Sequence, residues 1–231
     1  MPKYLFNFEK GESVRWLGHL DILRTFERAI RRAELPIAFS NGFNPRERLV
    51  FASALSTGVT GGAEPATLEL TAPLPLEEVA ARLNAVLPPG IRILSCQELP
   101  DAGARDLFRA LDRAEYTVVC GCPPSTPYGD AEEAVCTLLA RGHIPMTRER
   151  EGRTRTSDLR PLLFRLALRP ESRDTLANAR LTLEMIVAQG EGGTARPTDV
   201  VTALAEHLPG LTVRRAHRVR LLTTEEILIP T

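Results

Sequence analysis

The sequence predicts an α+β protein made of two ferredoxin-like (β-α-β-β-α-β) halves in tandem, spanning residues 1–100 and 112–231. Three observations carry the prediction. Tyr4, Phe6 and Phe8 fall on one face at the period of two expected for a strand. Leu23, Phe26, Ile30 and Ala33 then recur at helical spacing. The order of strand-like and helix-like segments in the first hundred residues is repeated after a polar connection at 100–114.

The elements follow from local chemistry. Residues 3–9 read as the first strand. The helix of residues 20–33 ends because Pro36 forbids its continuation. Between Leu35 and Phe51, Ser40-Asn41-Gly42-Phe43-Asn44-Pro45 is a turn signal set within two short extended pieces. A strand at 67–71, a helix at 76–87 introduced by Pro75, and a strand at 91–96 complete the first half. In the second half, strands are expected at 116–120, 162–168, 181–188 and 211–222, and helices at 130–140 and 198–208. An arginine-rich ribbon at 148–155, turning at Glu151-Gly152, is inserted into it.

The 231 residues are 43% hydrophobic and 25% charged, an ordinary globular composition. The apolar runs are much shorter than the roughly 20 residues of a membrane helix, and the N-terminus has no basic segment followed by an apolar core. A cytoplasmic protein with no membrane role is expected. Cys96, Cys120, Cys122 and Cys136 form no framework of paired spacings and read as buried thiols of a reduced protein. Cys120 and Cys122 share a strand face, but further ligands at suitable spacing are missing, so neither a metal site nor a cofactor is expected.

The net charge of zero conceals a segregation. Residues 1–50 carry nine basic and six acidic side chains, 51–140 five and twelve, and 141–173 nine and four. All but Lys3 and Lys10 of the 29 cations are arginines, whose planar fork suits phosphate and carboxylate. Arg24, Arg28 and Arg31 stand at i, i+4 and i+7 opposite the apolar stripe of the first helix, forming either a solvated face or a phosphate-contacting ridge. Asn41, Phe43, Asn44 and Arg46 could stack on a base and hydrogen-bond its edge, or Phe43 could fold back as a lid on the core. Arg148, Arg150 and Arg153 could follow a second stretch of phosphate backbone, or protect an edge strand by charge. Tyr4, Phe6 and Phe8 are read as core rather than as stacking aromatics of an RNA-binding sheet.

Catalytic signatures are sparse. His19 and Asp21, close together at a helix start, are the acid–base candidates. Nucleophile elbows, Walker loops and dinucleotide fingerprints are missing.

Val14-Arg15-Trp16-Leu17-Gly18-His19-Leu20-Asp21, the following Arg24, Phe26, Ala29, Arg31, Arg32 and Ala33-Glu34-Leu35-Pro36, and then Ser40-Asn41-Gly42-Phe43-Asn44-Pro45 resemble the radical SAM-linked protein family. Asp158-Leu159-Arg160-Pro161 and Arg196-Pro197 are similar to its later motifs. The resemblance implies a radical SAM protein as partner, since members are fused to one with a cobalamin-type domain or encoded as separate chains. After Pro45 this chain has Arg46-Glu47-Arg48 where relatives tend to show His-Pro-Lys, which keeps positive charge but removes a proton-transfer group. Its cysteines, 24, 2 and 14 residues apart, lack the spacing that holds a radical SAM iron–sulfur cluster. The expectation is an RNA-binding accessory protein acting with that partner. The alternatives are an RNA-processing or RNA-modifying enzyme using His19 and Asp21, and a pure protein-interaction module.

Overall fold

A computed structural model describes residues 1–100, 104–124, 126–150, 152–170 and 179–224. The strands are β1 (Lys3–Lys10), β2 (Leu49–Phe51), β3 (Val59–Glu69), β4 (Ile91–Leu99), β5 (Leu111–Gly121), β6 (Pro145–Arg150), β7 (Arg153–Asp158), β8 (Leu163–Leu168), β9 (Arg180–Ala188) and β10 (Thr212–Thr223). The helices are α1 (His19–Arg32), α2 (Leu76–Val86), α3 (Ala104–Ala110), α4 (Tyr128–Ala140) and α5 (Pro197–Leu204).

Two separate ferredoxin-like halves are not what forms. Eight strands make one sheet in the order β4-β1-β3-β10-β5-β9-β8, with β2 paired to β3, and β6 and β7 make a separate two-stranded ribbon. The difference lies in β10. Expected as the last strand of the second half alone, it is twelve residues long and hydrogen-bonded on both sides, to β3 and to β5. Side-chain periodicity identifies a strand and its buried face, but not which edge it will cover.

The chain divides into two compact units, Met1–Leu111 with the chain from Arg218 onward, and Asp112–His217. In the first, β1 pairs antiparallel with both β3 and β4. Tyr4, Phe6 and Phe8 project from β1 into a core with Ile22, Phe26, Ala29 and Ile30 of α1 and Val79 and Leu83 of α2. Phe26 is the hub of the aromatic part, its ring centroid 5.6 Å from Phe6, 5.0 Å from Phe8 and 5.4 Å from Phe51. In the second unit β9 pairs antiparallel with β5 and β8. Cys120 lies in this unit's buried set with Val118, Leu138 and Leu183, and burial pushes its thiol up to about 12.

Candidate functional site

In the first unit, α1 begins at Gly18, whose backbone N–H donates to Asp21 Oδ2 at 3.0 Å, so a carboxylate reaches back to an otherwise unpaired donor of the first turn. Asp21 is therefore engaged as a cap. His19, two residues earlier, points elsewhere, as i, i+2 residues of a helix do. Its ring meets Phe51 edge to face at 5.7 Å.

Arg24, Arg28 and Arg31 are exposed, opposite the face that buries Phe26 and Ile30. Arg24 and Arg28 have no ion-pair or hydrogen-bond partner among the described residues. Arg31 is different. Its Nε donates to the Glu27 carbonyl at 3.0 Å and lies 3.2 Å from Glu47 Oε1. The side chain of Glu47 is largely buried, and burial, opposed by Arg31, raises its pKa. Its second oxygen, Oε2, has no hydrogen-bond partner among the described residues.

Glu47 stands at the base of the predicted turn, which is a loop closed at its neck. Phe39 and Glu47 form an antiparallel bridge. Ser40 N–H donates to the Arg46 carbonyl at 2.8 Å, Arg46 N–H to Ser40 Oγ at 3.0 Å, and Arg48 N–H to the Ala38 carbonyl at 2.8 Å. Beyond this neck Asn41, Phe43, Asn44 and Arg46 are all exposed, and Phe43, at 107% relative exposure, is not a lid on the core. Gly42, at φ +133°, supplies a backbone conformation that L side chains rarely adopt. The Arg31–Glu47 pair thus sets the loop beside the basic ridge.

The ribbon residues lie in the second unit. Arg148 donates through Nη2 to the Thr194 carbonyl at 2.8 Å and forms a two-point ion pair with Asp199 in the first turn of α5. It is half-buried and neutralised, whereas Arg153 is exposed. The side chain of Arg150 and the whole of Glu151 lie outside the described residues. Asp158 and Arg160 form no ion pair with each other. Asp158 Oδ1 accepts the backbone N–H groups of Ile144 at 2.9 Å and Arg160 at 3.0 Å, which hold its carboxyl down to about 2, with His143 Nδ1 3.0 Å from Oδ2 adding to the effect. Arg160 turns to the Leu163 carbonyl at 3.0 Å.

Sequence reasoning missed two features. One is Arg218 of β10, whose side chain is 1% exposed and grips Glu64, 4% exposed, through two nitrogens. Lys10, also buried, feels both charges, and desolvation lowers its pKa against the opposing pull of Glu64. The signal in the sequence was Glu64 in a run otherwise made of Gly61, Gly62, Ala63 and Pro65. The second feature is Trp16, exposed beside the head of α1 with Arg15 against its ring.

No group of three or more potential metal ligands occurs among the described residues, and no described helix is long and apolar enough to cross a membrane. The family described as "Uncharacterized protein conserved in bacteria (DUF2344)" matches residues 3–197. No curated protein matches the chain in sequence. Among solved structures, it is similar to the Cbf5-Nop10-Gar1 complex, with a TM-score of 0.53 at 11% identity over 94% of this chain and 48% of that one. It is similar to an H/ACA RNP bound to a substrate RNA containing 2′-deoxyuridine, with a TM-score of 0.52 at 11% identity over 94% and 47%. It is likewise similar to the archaeal box H/ACA sRNP Nop10-Cbf5 complex, with a TM-score of 0.51 at 12% identity over 94% and 47%. The likeness is one of fold, and the chain spans just under half the length of each chain it matches.

Proposed function

The chain belongs to the DUF2344 family of uncharacterized proteins conserved in bacteria, and from that premise we propose that it binds RNA as a component of an RNA-modification system, acting beside a radical SAM partner. The observation that carries the proposal is the fully exposed Phe43, held on a closed-neck loop between Asn41 and Asn44 and tied to the basic helix through Glu47 and Arg31. An aromatic ring with no core contact gives a base a stacking surface. The two amides beside it can read the base's edge, while Arg24 and Arg28, without partners among the described residues, meet phosphates. Arg46 adds charge at the loop, and Arg153 offers a second contact in the other unit. The similarity of fold to RNA-protein complexes supports this direction.

Binding is tested by the salt dependence of affinity for cellular RNA. Affinity is expected to fall steeply with salt, and the slope of log K against log salt to become shallower by about 1 in Arg24→Gln and again in Arg28→Gln. A salt-insensitive interaction, or an unchanged slope in both variants, would overturn the proposal.

A second reading, in which the chain itself modifies RNA, draws support from its likeness in fold to a complex that carries a substrate RNA. His19 is then the group available for proton transfer, because Asp21 is engaged with the Gly18 N–H. RNA modification that disappears in His19→Ala while binding persists favours this reading. Activity retained in that variant removes His19 from it.

A further inference from the structure

Trp16 is the only tryptophan of the chain and is 66% exposed, yet its backbone is pinned from beneath. Lys10 Nζ donates to the carbonyls on either side of it, Arg15 at 3.0 Å and Leu17 at 2.8 Å. Gly58 N–H donates to the same Arg15 carbonyl at 2.8 Å. The Trp16 ring rests on Gly58 so closely that a Cβ there would stand 3.1 Å from Cζ3, at a φ of +84° that already favours glycine. The Arg15 guanidinium carbon lies 4.6 Å from the ring centroid, and Arg15 also pairs with Glu12. A buried lysine, a glycine and an arginine thus hold a large aromatic side chain at the surface, where it contributes little to the core. Rigid, outward-facing tryptophan is characteristic of recognition surfaces.

Its position gives the surface a direction. At 3.6 residues per turn, Leu20, Arg24, Arg28 and Arg31 fall within about a quarter of the circumference of α1. Leu20, Arg24, Arg28 and Arg31 are exposed, and Glu27, at the edge of this stripe, is half-buried. The stripe starts at Leu20, four residues after Trp16, in the first turn of α1, and ends at Arg31, where Glu47 anchors the Phe43 loop. Leu20 and Arg31 are separated by about 17 Å of helix rise. Two exposed aromatics, one just before α1 and one on the loop anchored at its last turn, therefore flank two guanidinium groups of α1 that have no partner among the described residues.

We propose that Trp16 is a second base-stacking station, and that the ligand of this surface is a single-stranded RNA segment lying along α1 between Trp16 and Phe43 with its phosphates toward Arg24 and Arg28. The inference deepens the RNA-binding reading above and rests on it. Aromatic platforms interleaved with cations are how single strands are held without sequence preference. A duplex keeps its bases stacked on one another and has none to place on either ring.

The single tryptophan makes the test direct. The full chain is titrated with an unstructured RNA of about a dozen nucleotides, the scale of a single-strand site, and with the same sequence as a duplex, following fluorophore anisotropy on the RNA and intrinsic Trp16 emission together. Expected are quenching that saturates in parallel with anisotropy for the single strand and is missing for the duplex. Expected too are about a tenfold loss of affinity in Trp16→Ala and retention within about threefold in Trp16→Phe, which keeps a ring. Anisotropy without quenching, or equal quenching by the duplex, overturns the stacking station and leaves the RNA-binding reading standing. No anisotropy change with either RNA overturns both.

Discussion

Arg31 Nε lies 3.2 Å from Glu47 Oε1, joining the last turn of α1 to the neck of the loop that displays Phe43. Net electrostatics and geometry make opposite predictions for Glu47→Ala. Removing a carboxylate beside the ridge should tighten RNA binding if charge alone matters. If the pair positions the loop, affinity falls, by about fivefold, corresponding to about 1 kcal/mol of the stacking contribution of one aromatic. We expect the fall. A double-mutant cycle with Phe43→Ala should show the two losses to be non-additive, and a gain in affinity in the single variant would separate loop from ridge.

Arg148 looks in sequence like a phosphate contact, but the structure commits it to Asp199 and the Thr194 carbonyl. Arg148→Met is expected to lower the unfolding free energy by about 1–3 kcal/mol, because it removes the charged donor to the Thr194 carbonyl and leaves the Asp199 carboxylate only the Arg196 backbone N–H among the described residues. The salt slope of RNA binding should be unchanged. A slope reduced by about 1 at unaltered stability would return Arg148 to the binding surface.

The buried charges of the first unit predict an asymmetry. Deleting one partner of a buried pair costs about 3–5 kcal/mol. Arg218→Met leaves Glu64 with Lys10 still nearby as a counter-ion, whereas Glu64→Met leaves two buried cations facing each other. Glu64→Met should therefore be the more destabilising in urea denaturation, and the double variant should cost less than the sum of the two. Equal costs would mean that Lys10 does not share in the network.

Asp158 gives a pH signature. Its folded-state carboxyl sits at about 2, against an ordinary value of about 3.9, held there first by the Ile144 and Arg160 backbone N–H groups. A lowered folded pKa means that the unfolded state takes up the proton first. The contribution is therefore complete above about pH 4 and is lost as the pH falls through about 2. Thermal midpoints of the wild type and Asp158→Asn should differ at neutral pH and converge at the acid end. A constant difference across that range would show that the charge of Asp158 does not matter.

Much of the molecule was legible in the sequence where the signal is local. The alternation of Tyr4, Phe6 and Phe8 marked β1, and the spacing of Phe26 and Ile30 marked the buried face of α1. β3 was read only from Thr67, because Gly61, Gly62 and Pro65 carry loop chemistry, yet Phe8↔Glu64 and Asn7↔Pro65 are paired along it. α3 falls in a stretch that reads as a polar connection. Phe43 could as well have folded back as a lid on the core, so of the candidate site only the exposure of Arg24 and Arg28 followed from position. That Arg31, Arg148 and Arg218 are each matched by a carboxylate did not, since Glu47, Asp199 and Glu64 are 16, 51 and 154 residues away along the chain. Pairing across such distances leaves no periodic trace.

The first compact unit draws its closing residues from Arg218 onward, after more than a hundred residues devoted to the other unit. During synthesis, a ribosome would therefore release β1, β3 and α1 long before the guanidinium that completes their interior. A nascent chain arrested short of Arg218 carries Glu64 without its partner, so the N-terminal part should stay protease-sensitive until Arg218 has left the ribosome, reversing the usual order in which the first-made region is the first to mature.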